Sequence, residues 1–380
     1  MRGSIAIWHD ALPDGANGYS SRVEVHINIW KGDRRNKVRR FDLFDIGLRF
    51  KEVRSIKTMS LSLPFSIGKD KIVDLFDIIH DRNTLSTIFN DTLYPGPLQD
   101  DEAIFSVRDD HDRIQFFVCR CSQSDIEVSN IDSAEGSETI ILFKEEFCKK
   151  LRNNIGDQYL RLRFYVPFFH TNSFISEIVP ADSAFLSTIS TNEVVEFRLN
   201  ERRNFSSAVL GRLGKNVDLI NICGVHYFLI RDMTVEMIQA HTAFKKMRRL
   251  EPDIWDAYLR NEPQFDANNM IIYHWSSTTS DGSNIDNFKA LATFRSYYTG
   301  SLTIYAFVIV ALGAMGSAAQ ALLVAGLMNA ALTSNLIQID PSGGSDNGAT
   351  IAALANLIIL GALGYFLWAI VRRIRDRSFK

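Results

Sequence analysis

The sequence is poor in cysteine, carries no excess of either charge, and offers almost nothing that reads as a catalytic motif. Cys119, Cys121, Cys148 and Cys223 are the only thiols among 380 residues. Cys119 and Cys121 stand two apart in a run that reads as a strand, so both share a face with Phe117. A metal site would need further Cys or His at ligand spacing nearby, and there are none, so these are expected to be core thiols. Charge is nearly balanced, with 42 Lys+Arg against 44 Asp+Glu over the whole chain and 37 against 41 before Ser296. That balance argues against general nucleic-acid or anionic-lipid binding by the whole surface. The closest approach to a phosphate cradle, Gly211-Arg212-Leu213-Gly214-Lys215, lacks the spacing and the Ser or Thr that holds magnesium. Asp109-Asp110-His111-Asp112 stands just before a strand and reads as a turn. No Ser or Cys has an identifiable base partner, so neither an enzyme nor a cofactor is expected.

A second absence is more informative. Residues 296–339 contain no Asp, Glu, Lys or Arg, and neither do residues 347–371. A bilayer core of about 30 Å needs roughly 20 apolar residues in a helix, so each run is long enough to span. The expectation is a transmembrane hairpin over 301–371, with helices at about 303–328 and 349–371. Arg372, Arg373, Arg375 and Arg377 follow it in a basic tail (372–380), whereas the turn Asp340–Asp346 holds acids and no base. The positive-inside rule then puts both termini in the cytoplasm and the tail arginines at lipid headgroups. The first ten residues carry too short an apolar stretch for a signal peptide, in keeping with that orientation. Each helix has one stripe of small residues: Gly313, Gly316, Ser317 and Gln320 in the first, Ala352, Ala353, Asn356 and Gly364 in the second. Such stripes let backbones approach, so they are expected to pack helices in a homo-oligomer, or to line a pore through it.

The residues before the hairpin predict a β-rich α+β fold. Val23, Val25, Ile27 and Ile29 alternate with Arg22, Glu24, His26 and Asn28 and lead through a basic turn to a second run from Val38 to Phe50, a hairpin with one wet face. Met59, Leu61, Leu63 and Phe65 alternate again, and Ile72, Leu75, Phe76 and Ile79 take helical spacing. Further strands are predicted over 114–121, 139–143, 159–169, 193–199, 225–230 and 270–275, with helices over 144–152 and 233–259. Two matching scraps, Leu85-Ser86-Thr87-Ile88 and Leu186-Ser187-Thr188-Ile189, suggest two β-rich units, 1–150 and 151–275, either repeats of one another or parts of one domain. Residues 276–300, opening rich in Ser, Thr, Asp and Gly, read as the linker to the membrane.

Two basic clusters are candidate contacts for an anionic partner: Arg34, Arg35, Lys37, Arg39 and Arg40 around the hairpin turn, and Lys245, Lys246, Arg248 and Arg249 on the predicted helix. In layout, a soluble module followed by a two-helix hairpin with small-residue stripes resembles the two-transmembrane effectors of bacterial anti-phage systems. The resemblance is one of architecture. It implies abortive infection through membrane disruption, triggered by a cytoplasmic protein partner or a small signal, and it assigns no binding residue. The other functional class is a membrane-tethered scaffold or adaptor.

Overall fold

The computed structural model describes residues 3–12, 21–31, 41–133, 136–167, 173–178, 190–214, 217–259, 262, 265–279, 283–297, 299–333, 361, 365 and 368. The chain forms two compact units, one from residues 1–181 and 191–297, the other from 182–190 and 298–380.

Alternation of apolar and polar residues makes most of the first unit strand. In chain order it carries β1 (Ala6–Ala11), β2 (Arg22–Lys31), β3 (Phe41–Glu52), β4 (Ile56–Leu63), β5 (Ile72–Asp74), α1 (Phe76–Ile79), α2 (Arg82–Phe89), β6 (Tyr94–Gln99) and β7 (Ile104–Arg108). Then come β8 (Ile114–Cys119), β9 (Ile126–Ser133), β10 (Gly136–Phe143), α3 (Glu145–Asn153), β11 (Gln158–Pro167), β12 (Ile175–Ile178), β13 (Ser190–Leu199), α4 (Ser207–Leu210) and β14 (Val217–Leu219). The last are β15 (Asn221–Asp232), β16 (Val235–Ala240), β17 (Lys246–Arg249), α5 (Pro252–Leu259), β18 (Met270–Thr278) and β19 (Phe288–Tyr297).

The largest sheet runs β17-β18-β15-β2-β3-β11-β8-β7-β6, with β5 against β11; β14-β1-β4-β10-β9 and β12-β13-β19-β16 form two smaller ones. One face of the large sheet presents Val25, Ile27, Ile29, Leu48, Leu160, Leu162 and Leu229 to a core shared with the smaller sheets. Its opposite face is covered by α1, α2 and α5, whose Phe76, Ile79, Leu85, Trp255 and Tyr258 pack with Trp30, Leu43, Tyr159 and Ile230. The large sheet is therefore a middle layer. Sequence signals fix the ends of its cover: Asp81 caps α2 by accepting from the Thr84 amide, Asn90 ends it in the left-handed conformation at φ 52°, and Pro252 opens α5.

β2 and β3 do pair as an antiparallel hairpin, but neither face is wet. His26 and Asn28 are buried, because a helical layer lies over what alternation alone marks as the solvent side. Residues 72–79 are divided between strand β5 and the single turn α1, since β5 is taken up as a partner of β11. The predicted helix over 233–259 is helical only in α5; β16 pairs with β19 and β17 with β18, sheet edges overriding helical spacing. Strands from both halves of the chain interleave, β15 beside β2 and β11 beside β3, and β19 occupies Phe288–Tyr297 inside the stretch expected as linker.

The second unit contains α6 (Thr299–Thr333). Its segment Tyr305–Gly326 has 22 residues and a mean hydropathy of 2.1, long and apolar enough to cross a membrane. Ile309, Val310 and Leu323 are exposed along it. Gly313, Gly316, Ser317 and Gln320 are exposed too, and a Cβ on either glycine would meet nothing within 4 Å. Of the second apolar run, Gly361, Tyr365 and Trp368 are helical; Ala352, Ala353, Asn356, Gly364, the Asp340–Asp346 turn and the tail arginines lie outside the described residues.

Candidate functional site

Side chains on one face of a sheet recur every second residue, and strand register lines them up in rows. Register pairs Arg161 with Gly47, Gly47 with His26, and His26 with His226 across β11, β3, β2 and β15. One step along, Tyr159, Arg49, Glu24 and Gly224 form a second row. On the other side, Arg163, Asp45, Asn28, Phe228, His274 and Lys246 form a third. Polar residues scattered over more than 200 positions of sequence thus lie on one face, beneath α2 and α5.

Of these, Glu24, His26, Asn28, Arg161, His226 and His274 floor a cavity of about 300 Å³. Its walls come from α2 and the residues after it (Thr87, Ile88, Phe89, Asn90, Asp91), from β8 (Gln115, Phe116), from Trp255 of α5, and from Lys245, Lys246 and Arg248 at β17. Five cationic side chains, Arg49, Arg161, Lys245, Lys246 and Arg248, face two carboxylates, Glu24 and Asp91, so the lining favours an anion. Phe89, Phe116, Phe228 and Trp255 supply flat apolar surface.

Behind the floor is a buried polar network. Asp45 accepts from Arg163 Nε at 2.8 Å and Nη2 at 3.1 Å, from the Tyr258 hydroxyl at 2.6 Å and from Trp30 Nε1 at 3.0 Å. Arg161 donates through Nε to the Tyr258 hydroxyl and through Nη1 to the Tyr159 hydroxyl, each at 2.9 Å. It has room because β3 carries glycine opposite it: a Cβ on Gly47 would overlap the Tyr159 hydroxyl. Among the described residues, Asp45 is the one carboxylate hydrogen-bonded within this cluster of two guanidiniums, and the hydrogen bonds of the Arg161 side chain go to phenols. Arg161, 1 % exposed, keeps Nη2 without a hydrogen-bond partner among the described residues, and Trp255 keeps Nε1 likewise. Both residues line the cavity. An unsatisfied buried donor costs about 1–3 kcal/mol, more when charged, so an acceptor atom reaching either group would relieve that cost.

Beside Arg161, Glu24 Oε1 lies 2.9 Å from His26 Nε2 and 3.4 Å from His226 Nε2. His226 Nδ1 is 3.2 Å from His274 Nε2, and His274 stacks on Phe228 with ring centroids 4.2 Å apart. Burial holds the His26 imidazole down at about 4 against the pull of Glu24. Burial, then the positive fields of His226, Lys245 and Lys246, hold His274 at about 3. For Glu24, burial acts upward but is outweighed by hydrogen bonds to His226 and His26, so its carboxyl stays well below the usual range. At neutral pH Glu24 is a carboxylate, and His26 and His274 are neutral imidazoles.

Of the basic residues singled out from sequence, Lys245, Lys246 and Arg248 line this cavity, whereas Arg249 donates to the Asn268 carbonyl. Arg34, Arg35, Lys37, Arg39 and Arg40 lie outside the described residues. Asp109 holds a hairpin turn by accepting from the His111 and Arg113 amides. Gly211 ends α4. The four thiols are free, three of them buried. Sequence reasoning missed Glu24, His26, Arg161, His226 and His274. Their available signal was the recurrence of charged or imidazole side chains at every second position of strands too apolar to be surface strands. Compared with known protein families and with curated proteins, the chain gives no match.

Proposed function

We propose that the chain is a membrane-anchored sensor and effector. Its β-rich unit takes up a small anionic molecule with a planar ring, of the nucleotide class, and occupancy controls an apolar C-terminal hairpin that assembles in a bacterial inner membrane and breaches it, like the anti-phage effectors that the sequence resembles in layout. The observation carrying this reading is the pair of buried, unpartnered donors, Arg161 Nη2 and Trp255 Nε1, on residues that line a cation-rich, aromatic-walled cavity. A scaffold has no use for such a pocket, which costs stability unless a ligand satisfies it. The membrane half is supported by the composition and exposure of Tyr305–Gly326. The reading includes both termini in the cytoplasm, oligomerisation through the small-residue stripes, and no catalytic turnover.

Thermal unfolding of the full-length protein in detergent, against a panel of mono-, di- and cyclic nucleotides and their nucleosides, tests the ligand. A nucleotide at 100 times its Kd should add about 2.7 kcal/mol of stability while the matching nucleoside adds little. Equal response to nucleosides, or none to any nucleotide, ends the ligand assignment. Dye-reported membrane potential in phage-challenged cells tests the output. If depolarisation never follows, the tethered scaffold replaces the effector.

A further inference from the structure

We propose that Glu24, His26 and His226 bind one divalent transition-metal ion of the zinc class, using Glu24 Oε1 and the two Nε2 atoms, with the remaining coordination directed at the cavity. Two imidazole nitrogens converge on a single carboxylate oxygen, at 2.9 and 3.4 Å, and one donor atom from each residue lies within 4.8 Å of the others. Donors around a tetrahedral ion with bonds of about 2.0–2.1 Å stand roughly 3.3–3.4 Å apart, so the two carboxylate–imidazole spacings, 2.9 and 3.4 Å, lie within about half an ångström of what an ion needs. Strand geometry fixes the set: Glu24 and His26 are successive residues on one face of β2, and His226 is the register partner of His26 on parallel β15. Residues on paired strands in a middle layer are held more rigidly than loop residues, as a preformed site requires.

A further shell is in place. A metal-ligating histidine characteristically has its other ring nitrogen held, and His226 Nδ1 lies 3.2 Å from His274 Nε2 while that ring is clamped on Phe228. Two histidines and one carboxylate leave at least one position open on a zinc-class ion. All three residues line the same cavity as Arg161, so ion and guanidinium would face one space from adjacent rows. The metal proposal stands whether or not that space takes a nucleotide.

Full-length protein without a polyhistidine tag is purified in detergent, stripped with EDTA, and titrated with Zn2+ and with Co2+. One equivalent should bind, with Co2+ giving a visible absorption band that excess Zn2+ abolishes. Glu24→Gln and His226→Ala should lose the band while keeping the parent's thermal unfolding profile. His274→Ala, outside the ligand set and free of any folding requirement at Glu24, should bind one equivalent about 10–100-fold more weakly. Absence of uptake in the parent, or undiminished uptake in both ligand variants, overturns the proposal and leaves these residues a hydrogen-bonded cluster only; an unaltered affinity in His274→Ala overturns the supporting role given to that ring. None of them touches the nucleotide titration, so the two readings fail separately.

Discussion

Arg161 holds a charge in the middle of the protein that is only partly compensated. Among the described residues its side-chain hydrogen bonds go to two phenols, and Asp45, whose field it feels, is already bonded by Arg163, Tyr258 and Trp30. Replacing a buried, incompletely paired charge by an apolar side chain of similar volume is often neutral or stabilising. Arg161→Met should therefore leave the urea midpoint unchanged or raise it, while abolishing stabilisation by anions. Asp45 shows the opposite logic, since its removal strands Arg163 in the interior. Asp45→Ala should cost about 3–5 kcal/mol in urea unfolding. Thiol chemistry gives a third expectation. Burial pushes Cys119 and Cys148 up to about 12, and Cys121 also well above its ordinary value, so a maleimide at neutral pH should label native protein only at the half-buried Cys223, and all four thiols after urea.

At the scale of elements, much of the strand pattern could be read directly, and the errors have a common source. Alternation in Val23–Ile29 fixes which residues share a face, but not what covers that face. The cover comes from α2 and α5, about 60 and 230 residues farther along, and it turns a supposedly wet row into the floor of a cavity. Met233–Arg249 has helical spacing locally, yet edges of two sheets recruit it as β16 and β17. In both cases tertiary partners decide, and no window of sequence contains them. The candidate site is the extreme case: Glu24, His26, Arg161, His226 and His274 are visible as polar interruptions in strands, and only register brings them together. For α6 the sequence is more nearly sufficient. Gly313 and Ser317 lie exposed on the apolar helix, so Gly313→Leu or Ser317→Leu should weaken crosslinked oligomer by about 1–2 kcal/mol without affecting membrane insertion, and Leu322→Ala should change little.

For the molecule as a whole, the charge asymmetry around the two uncharged runs makes topology testable. Ser342→Cys should react with a membrane-impermeant thiol reagent in intact cells and Ser378→Cys should not; reversed labelling would remove the membrane orientation on which the effector reading depends. The parallel pairing of β2 with β15 bears on how the chain is made. A sulfur–carbonyl contact joins Cys223 to Val23, 200 residues apart. At about 5–20 residues per second, β2 leaves the ribosome roughly 10–40 s before the partner that completes its pairing exists. Through that interval β3 can gain β11, but the edge of β2 that β15 will cover stays unpaired, a surface that chaperones hold and that neighbouring nascent chains would otherwise join. The cavity is among the last features to form, after that edge of β2 has been at risk throughout. A cell short of holdase chaperones should accumulate this chain as aggregate before its cavity has formed.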